Sequence, residues 1–444
     1  MARLQHFGWF LSRGFGPHGW GHPYLDWNYR WERPDLYQQS ARELEQAGLD
    51  FVLIEDALSI GFPETIDLRV REAYGGPKHD PIILSPYLFQ ATQHLGVIPT
   101  VNAGAYPPYL AARQFATLQH LSAETPGAGR LGLNVVTDVG SARHVGLEPI
   151  PHDAAYDRAT EWLAGVRSLW NSWGDGALIE DRATKRFADG SRITAVEHRG
   201  EYFRFDGPLN ALPFESDGDP VIASPGGSPR GFAFAGQHSE IQLALASLDV
   251  QSVRDYRARV REQAGVFGRA DDVKVLFVFK PVIVGSREEA DRIVEASQHP
   301  TDEQLLQIAI GQSSDLETDI TQYDLDSHLD PAIFGEHVSR GTIKGLLGKA
   351  ESFEAETLRQ ILTRHARLGR ISDRSGFVGT ADEVADVIED FGTDADNDGF
   401  IFSGDLHPVT VHRYLDELVP ILRRRGVLRT EYGTGGLRGN LRDF

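Results

Sequence analysis

The sequence predicts an α/β protein, a (β/α)8 barrel with insertions, and two observations carry that prediction. Short apolar runs alternate with amphipathic stretches along the chain, as parallel strands alternate with covering helices. The 444 residues, 41% of them hydrophobic, are ample for a sizeable core. A doubly wound open sheet is the competing architecture, and the count of eight candidate strands favours the closed barrel.

In chain order, the candidate strands are His6–Leu11, Phe51–Ile54, Gly96–Val101, Leu131–Val136, Pro220–Ala223, Ile241–Ala246, Val273–Val284 and Gly399–Phe402. Between them, helical spacing of apolar residues marks Asp35–Ala47, Tyr109–Leu121, Ala154–Trp170, Val253–Ala264, Glu288–Ala296 and Val409–Arg424. In Tyr109–Leu121, the residues Leu110, Phe115, Leu118 and Leu121 are expected to form one buried face. Three stretches exceed a minimal barrel: a Gly- and Pro-rich segment at 59–85, a hairpin-like excursion at 174–218 and irregular helical material at 300–375. Such insertions usually follow strands, at the face where active sites lie. The glycine-rich tail 426–444 is expected to wrap a surface, and the whole chain 1–444 to form a single domain.

Charge and composition narrow the function. The formal net charge, 44 − 64 = −20, argues against nucleic acid and anionic membranes as partners. The basic run Arg423-Arg424-Arg425 ends an amphipathic helix, where cations suit the dipole. With no cysteine, disulfides, thiolate nucleophiles and cysteine-ligated metals are excluded. The N-terminal residues do not read as a signal peptide and no run is long and apolar enough to span a membrane, so a cytoplasmic protein is expected.

Several familiar constellations lead nowhere. Asp394–Gly399, DADNDG, matches the first half of a calcium loop, but Gly399–Phe402 continues as an apolar strand where a helix would be required. An acidic helix-to-strand turn is the better reading. His18 and His22 are four apart, yet GPHGWGHP cannot hold a helix, and His407 and His412 merely flank a helix start. HExxH, GxSxG, a P-loop and a GxGxxG that follows a strand and opens a helix are all missing from the sequence.

Two stretches are more informative. After the apolar run Pro220–Ala223 comes SPGGSPRGFAFAG (224–236), which reads as a strand end, a glycine turn and a helix starting near Ser228 and Pro229. Converging backbone N–H groups and a helix N-terminus suit an anion, most often a phosphate. The same residues also make an ordinary turn with a serine N-cap and a proline in the first turn. The second stretch is GRLGLNVVTD (129–138), where Asn134 interrupts an apolar strand. A buried amide needs a partner, either a ligand or neighbouring backbone. Asp56 similarly ends the strand that begins at Phe51.

With these residues the chain resembles the bacterial-luciferase-like flavin-dependent monooxygenases, in particular the nitrilotriacetate and dibenzothiophene-sulfone branch. The resemblance runs in order through AGLDFVLIEDAL (47–58), PPYLAARQFATLQHLS (107–122), GRLGLNVVTD (129–138), HDAAYDRATEWL (152–163), SLWNSWGDGALIEDRATKRFADG (168–190) and HRGEYFRFDGPLN (198–210). It continues in GGSPRGFAFAGQHSE (226–240), YDLD (323–326), GTADEVADVIEDF (379–391) and RRRGVLRTEYGTGGLRGNL (423–441).

The resemblance implies a luciferase-like TIM barrel that takes reduced FMN from a separate flavin reductase and uses O2 to oxygenate a small organic substrate. It implies that Gly227, Ser228 and Tyr156 hold the FMN phosphate, and that Asp56, Asn102, Ala103, Asn134 and Thr137 line the isoalloxazine ring. Asn134 is the catalytic candidate, because an amide hydrogen-bonds oxygenated flavin without supplying a strong acid. Phe10, His18, Trp20, Trp27, Tyr29 and Tyr106 are the candidate substrate contacts, and their aromatic character suggests an apolar or aromatic substrate. A homodimer or homotetramer is expected by analogy. The sequence departs from the family pattern at Leu133, at Asp138, which would add a carboxylate near the flavin, and at Asn102–Ala105. The alternatives are a deazaflavin-dependent oxidoreductase of the same superfamily, a metal-dependent barrel hydrolase and a non-catalytic flavin-binding relative.

Overall fold

A computed structural model describes residues 3–12 and 29–444, apart from 62, 64, 72, 74, 126, 216, 335–339, 349–351, 372–376, 405 and 407. Eight parallel strands close into a barrel: β1 (His6–Leu11), β2 (Phe51–Ile54), β3 (Gly96–Asn102), β4 (Gly132–Val136), β5 (Val221–Pro225), β6 (Ile241–Ala244), β7 (Lys274–Phe279) and β8 (Gly399–Gly404). Each strand pairs with its neighbours in sequence, and β1 closes against β8 with His6 opposite Gly399. The expected run Val273–Val284 is not one strand. It breaks at Lys280-Pro281, and Val282–Val284 pairs instead with Val378–Thr380 outside the barrel. Proline lacks the N–H that would continue the ladder.

Alternation along the strands sorts the core into two layers. Phe51, Leu53, Ile98, Val221, Ala223, Ile241, Leu243, Leu276 and Ile401 fill the lumen, and Leu437 and Leu441 join them. A Cβ on Gly96, at the start of β3, would lie 2.6 Å from Leu437, so the helix Gly436–Arg442 plugs the N-terminal end. The tail therefore seals the barrel from below, and ligand access is left to the opposite end. Outward residues such as Phe7, Trp9, Val97 and Phe277 pack against the surrounding helices.

Those helices are α1 (Pro34–Ala47), α2 (Pro81–Ala91), α3 (Pro108–Ser122), α4 (His152–Trp170), α5 (Pro229–His238), α6 (Val250–Gly265) and α7 (Ala381–Asp394). In α3 the expected face is wrong at two positions. Leu110 and Leu121 are 55% and 76% exposed, while Ala111, Ala112, Phe115, Ala116 and Leu118 are buried. Small alanines let α3 approach the barrel closely, and the large leucines at its ends are turned outward. Helix α2 falls partly inside the segment expected to be an insertion. Its prolines do not prevent it: Pro81 occupies the first turn, where the Asp80 carboxylate accepts N–H bonds from Ile82 and Ile83 at 2.8 and 3.0 Å, and the helix continues through Pro86 at the loss of one ladder bond. The last helical stretch winds as Pro408–His412, a π-helical Arg413–Leu418 and Val419–Arg424, the change of winding adjoining Pro420.

The excursion at 174–218 holds two hairpins, Leu178–Asp181 with Arg186–Ala188 and Glu197–Arg199 with Arg204–Asp206. It follows α4 rather than a strand, contrary to the expectation for insertions, and so starts from the N-terminal end of the barrel. The second hairpin returns along α4, where the Glu161 carboxylate accepts N–H bonds from Tyr202 and Phe203 at 3.1 and 2.9 Å. The segment between β7 and α7 carries its own small core around Leu305, Leu316, Ile320, Phe353 and Leu362. Arg69 donates to the Ser314 carbonyl at 2.9 Å, tying that unit to the short helix Ile66–Val70 beyond β2. No helix among the described residues is long and apolar enough to cross a membrane.

Candidate active site

Strand parity turns Gly132, Asn134 and Val136 toward the lumen, because Leu133 and Val135 pack outward. Asn134 sits opposite Thr100 on β3 and Ala223 on β5. Its Nδ2 donates to Thr100 Oγ1 at 2.8 Å, and its Oδ1 is buried without a hydrogen-bond partner among the described residues. An unsatisfied buried acceptor costs about 1–3 kcal/mol. Asn102, one strand away, is used differently. Its Nδ2 donates to the Asp138 carbonyl at 2.8 Å, and its Oδ1 accepts from the Gly104 N–H at 3.0 Å. It staples the loops after β3 and β4 together, with Ala103 buried beneath them and Thr137 half-buried at the end of β4. The Asp138 carboxylate folds back on its own loop, accepting from the Gly140 N–H at 2.8 Å and from the Ser141 hydroxyl.

The turn after β5 is built as a cradle. Gly226 has φ +125°, a conformation that side chains disfavour, and the chain then enters α5 with Ser228 as N-cap and Pro229 in the first turn. The Ser228 hydroxyl accepts from the Gly231 N–H at 3.1 Å. From α4, Tyr156 brings its hydroxyl over this turn: a Cβ on Gly226 would lie 2.8 Å from it and one on Gly231 3.1 Å. A Cβ on Gly227 beside it would meet only the Tyr256 ring, in ordinary contact at 3.7 Å. A buried polar layer fixes the turn from below. Gln242 Nε2 and the Tyr256 hydroxyl both donate to the Gly226 carbonyl, at 2.9 and 3.2 Å. Ser224 Oγ bonds Ser239 Oγ at 2.7 Å in the same layer. Sequence reasoning missed Gln242 and Tyr256. Gln242, an amide inside an apolar strand, carries the signal that singled out Asn134. It also missed His152, whose ring meets Tyr156 edge-on at 5.1 Å.

On the far side of the mouth, β2 ends in Glu55 and Asp56. Burial pushes the Asp56 carboxyl up to about 7; Lys78 pulls it down, and Glu55 and Asp80 add to the rise. Lys78 is itself paired with Glu55 at 2.6 Å. Tyr106 shares this environment: burial, then Asp80 and Asp56, pushes its phenol up to about 12. Phe10, near the end of β1, packs on the lumen cluster and faces the mouth. Tyr29 is buried in a cavity of about 370 Å³ that is also lined by Arg33, Leu36, Leu406 and His412. His18, Trp20 and Trp27 lie outside the described residues.

The acidic turn at 394–399 is engaged with protein cations. Asp398 takes the Arg257 guanidinium through two bonds at 2.9 Å, and Asp396 also pairs with Arg257, at 2.5 Å.

Comparison with known proteins places the chain in a family. Residues 6–395 match the luciferase-like monooxygenase family. The chain is 32% identical to a dibenzothiophene-sulfone monooxygenase of Rhodococcus erythropolis (strain XP), covering 99% of this chain and 97% of that one. It is 30% identical to the nitrilotriacetate monooxygenase component A of Aminobacter aminovorans, covering 97% and 95%. Among solved structures, a riboflavin lyase with modified FMN and riboflavin superposes with a TM-score of 0.78 at 29% identity, covering 99% and 96%. With matched residues spanning most of the barrel, the chain belongs to the luciferase-like monooxygenase family and is a monooxygenase of that family.

Proposed function

We propose that the chain is the oxygenating component of a two-component system, taking reduced FMN from a separate flavin reductase and acting with O2 on a small organic substrate. The observation that carries this reading is the pairing of an anion cradle, Gly226–Ser228 under the Tyr156 hydroxyl, with the unpartnered Asn134 Oδ1 on the lumen side of β4. A phosphate fits the first and a ring N–H the second, so the residues present suit FMN. Ser228, Gly227 and Tyr156 would hold the phosphate; Asp56, Asn102, Ala103, Asn134 and Thr137 would line the ring. Bound reduced FMN supplies the electrons that activate oxygen. The chain's share is to bind, orient and exclude water. The lumen packing and the plug at Leu437 and Leu441 keep solvent out from below.

An Asp56 carboxyl near 7 is partly protonated at neutral pH, so it either donates or accepts at the ring edge as conditions change. The sequence lacks a dinucleotide fingerprint, which supports a separate reductase as the source of electrons. The relatives named above carry oxygenating activities in their names, which favours this reading over a deazaflavin-dependent hydride transfer. Phe10 and Tyr106, with Tyr29, His18, Trp20 and Trp27, suit an apolar or aromatic substrate. A homodimer or homotetramer is supported by the groove between α2 and α3, where Ile83, Tyr87 and Leu110 are 66%, 43% and 55% exposed side by side. A cytoplasmic setting follows from the need for a reduced-flavin supply.

The test is a reconstituted reaction with a flavin reductase, a reduced nicotinamide, FMN and isotopically labelled oxygen, screened across sulfones, thioethers, amines and aromatic heterocycles. One labelled oxygen atom in the product supports the reading. Substrate turnover without label, or turnover needing a deazaflavin, sinks it.

A further inference from the structure

Four arginines are buried among the described residues, and three of them hold carboxylate or carbonyl partners. Arg130 donates to the Ser122 and Phe89 carbonyls and to Thr92 Oγ1, at 2.8, 3.0 and 2.8 Å. Arg257 grips Asp398 with two bonds. Arg429 pairs with Asp50 at 2.8 Å and donates to the Asn440 carbonyl at 2.7 Å. The fourth, Arg158, is 7% exposed and has neither a hydrogen bond nor an ion pair among the described residues. Its guanidinium nitrogens are not among the atoms wholly enclosed by protein, so the stem is buried while the charged end, without a protein counter-charge, is reachable from the mouth.

The carboxylates nearest along the chain are used elsewhere. Asp157 pairs with Arg230, and Glu161 is taken up by His198 and the N–H groups of the second hairpin. Burial pulls the Arg158 guanidinium below its usual range, and the group that opposes this is the phenol of Tyr202, not a carboxylate. The position of the guanidinium is specific. Arg158 and Trp162 share one face of α4, and Trp162 Nε1 donates to the Tyr106 carbonyl at 2.7 Å. That face therefore looks onto the loop leaving β3. A Cβ on Gly104 would lie 2.3 Å from a terminal nitrogen of Arg158, so any other residue at 104 would displace the guanidinium. The same loop enters α3, whose first turn has no side-chain cap. Its free N–H groups add positive potential at this rim of the mouth.

We propose that Arg158, seated against Gly104, is an oxyanion subsite at the rim of the barrel mouth, taking a phosphate, sulfonate or carboxylate group of a bound small molecule. The planar guanidinium offers paired donors suited to such groups. The oxyanion has two possible sources, the flavin's own phosphate or an acidic group on the substrate. The inference stands independently of the oxygen chemistry, since it concerns binding alone.

The test compares wild type with Arg158→Gln and Arg158→Lys, each also in a Tyr156→Phe background that removes the phosphate contact at the β5 turn. Inorganic phosphate is titrated against chloride at equal ionic strength, with melting temperature and calorimetric binding as readouts. The expected result is that phosphate raises the melting temperature of the Tyr156→Phe protein. Arg158→Gln should weaken that binding about tenfold or more, and Arg158→Lys should retain part of it. In phosphate-free buffer Arg158→Gln should melt no lower than its parent, because the guanidinium has no hydrogen-bonded partner among the described residues to lose.

Oxidised FMN and riboflavin then separate the sources. Weakened FMN with unchanged riboflavin assigns the subsite to the flavin phosphate. Unchanged binding of both flavins, with phosphate binding lost, assigns it to the substrate. The proposal is overturned if phosphate acts equally on the parent and Arg158→Gln proteins, or on neither. It is also overturned if Arg158→Gln melts lower without anion while phosphate binding is unchanged, since that is a purely structural arginine.

Discussion

Replacing Tyr156 with Phe isolates one hydroxyl in the proposed phosphate cradle. The ring is buried against Phe234 and His152, and Phe preserves that packing. The hydroxyl makes no hydrogen bond to the described residues and lies over Gly226 and Gly231, so removing it leaves no protein partner stranded. Stability should therefore change by less than about 0.5 kcal/mol, as for a surface substitution. The ligand should notice far more. A hydrogen bond to a charged group is worth about 1.5–3 kcal/mol, which corresponds to about 10- to 150-fold in affinity. Fluorescence titration of the apo-protein with FMN should show that loss, while riboflavin, without the phosphate, should bind wild type and variant alike. Equal losses for both flavins would place the hydroxyl at the ring or in the fold, and no loss for either would remove Tyr156 from the site.

Further outcomes follow from the mouth and the turn. Asp56 has a folded pKa raised to about 7, so its protonated form is favoured; the stability it contributes is present below the ordinary aspartate range near 4 and is lost as pH rises through 7. At full weight that shift is about 4 kcal/mol, and about 2 remains after allowing for solvent at a half-buried site. Denaturant melts between pH 4 and 8 should show wild type losing stability relative to Asp56→Asn by about that amount across this window, other groups such as His238 acting alike in both; parallel pH profiles would refute the assignment. Gly226→Ala forces φ +125° on a side chain and sets a Cβ 2.8 Å from the Tyr156 hydroxyl, so thermal unfolding should show a loss of about 1–3 kcal/mol, with FMN affinity lost alongside. An unaltered melting temperature and affinity would show the turn to be tolerant. Ile83→Asp combined with Leu110→Asp should shift the protein toward monomer by light scattering, and an unchanged mass would move the interface elsewhere.

The barrel was legible because its strands are dense apolar runs, and all eight lie where those runs lie. Errors came where a residue's environment is set by partners distant in sequence. Leu110 and Leu121 fit a helical face but point outward, because Ala111, Ala112 and Ala116 make the closer contact with the barrel. Helix α2 was hidden by its own prolines: Pro81 suits the first turn that Asp80 caps, while Pro86 lies within the helix and gives up one N–H bond of the ladder. At the site, the glycine turn at 226–228 and Asn134 stood out locally, one by composition and one as an amide among apolar neighbours. The polar layer beneath the turn brings Gln242 and Tyr256 together from different elements. The unpaired state of Arg158 depends on where Asp157 and Glu161 point, which one-dimensional spacing does not encode.

The most direct test of the central claim is anaerobic titration with reduced FMN, followed by rapid mixing with oxygenated buffer, on wild type and Asn134→Ala. The account predicts saturable binding of reduced FMN and flavin reoxidation slower than in free solution, with the slowing diminished in Asn134→Ala. If reduced FMN fails to bind, or reoxidises at its free-solution rate with substrate present as well as absent, the oxygenating role proposed for this site is wrong.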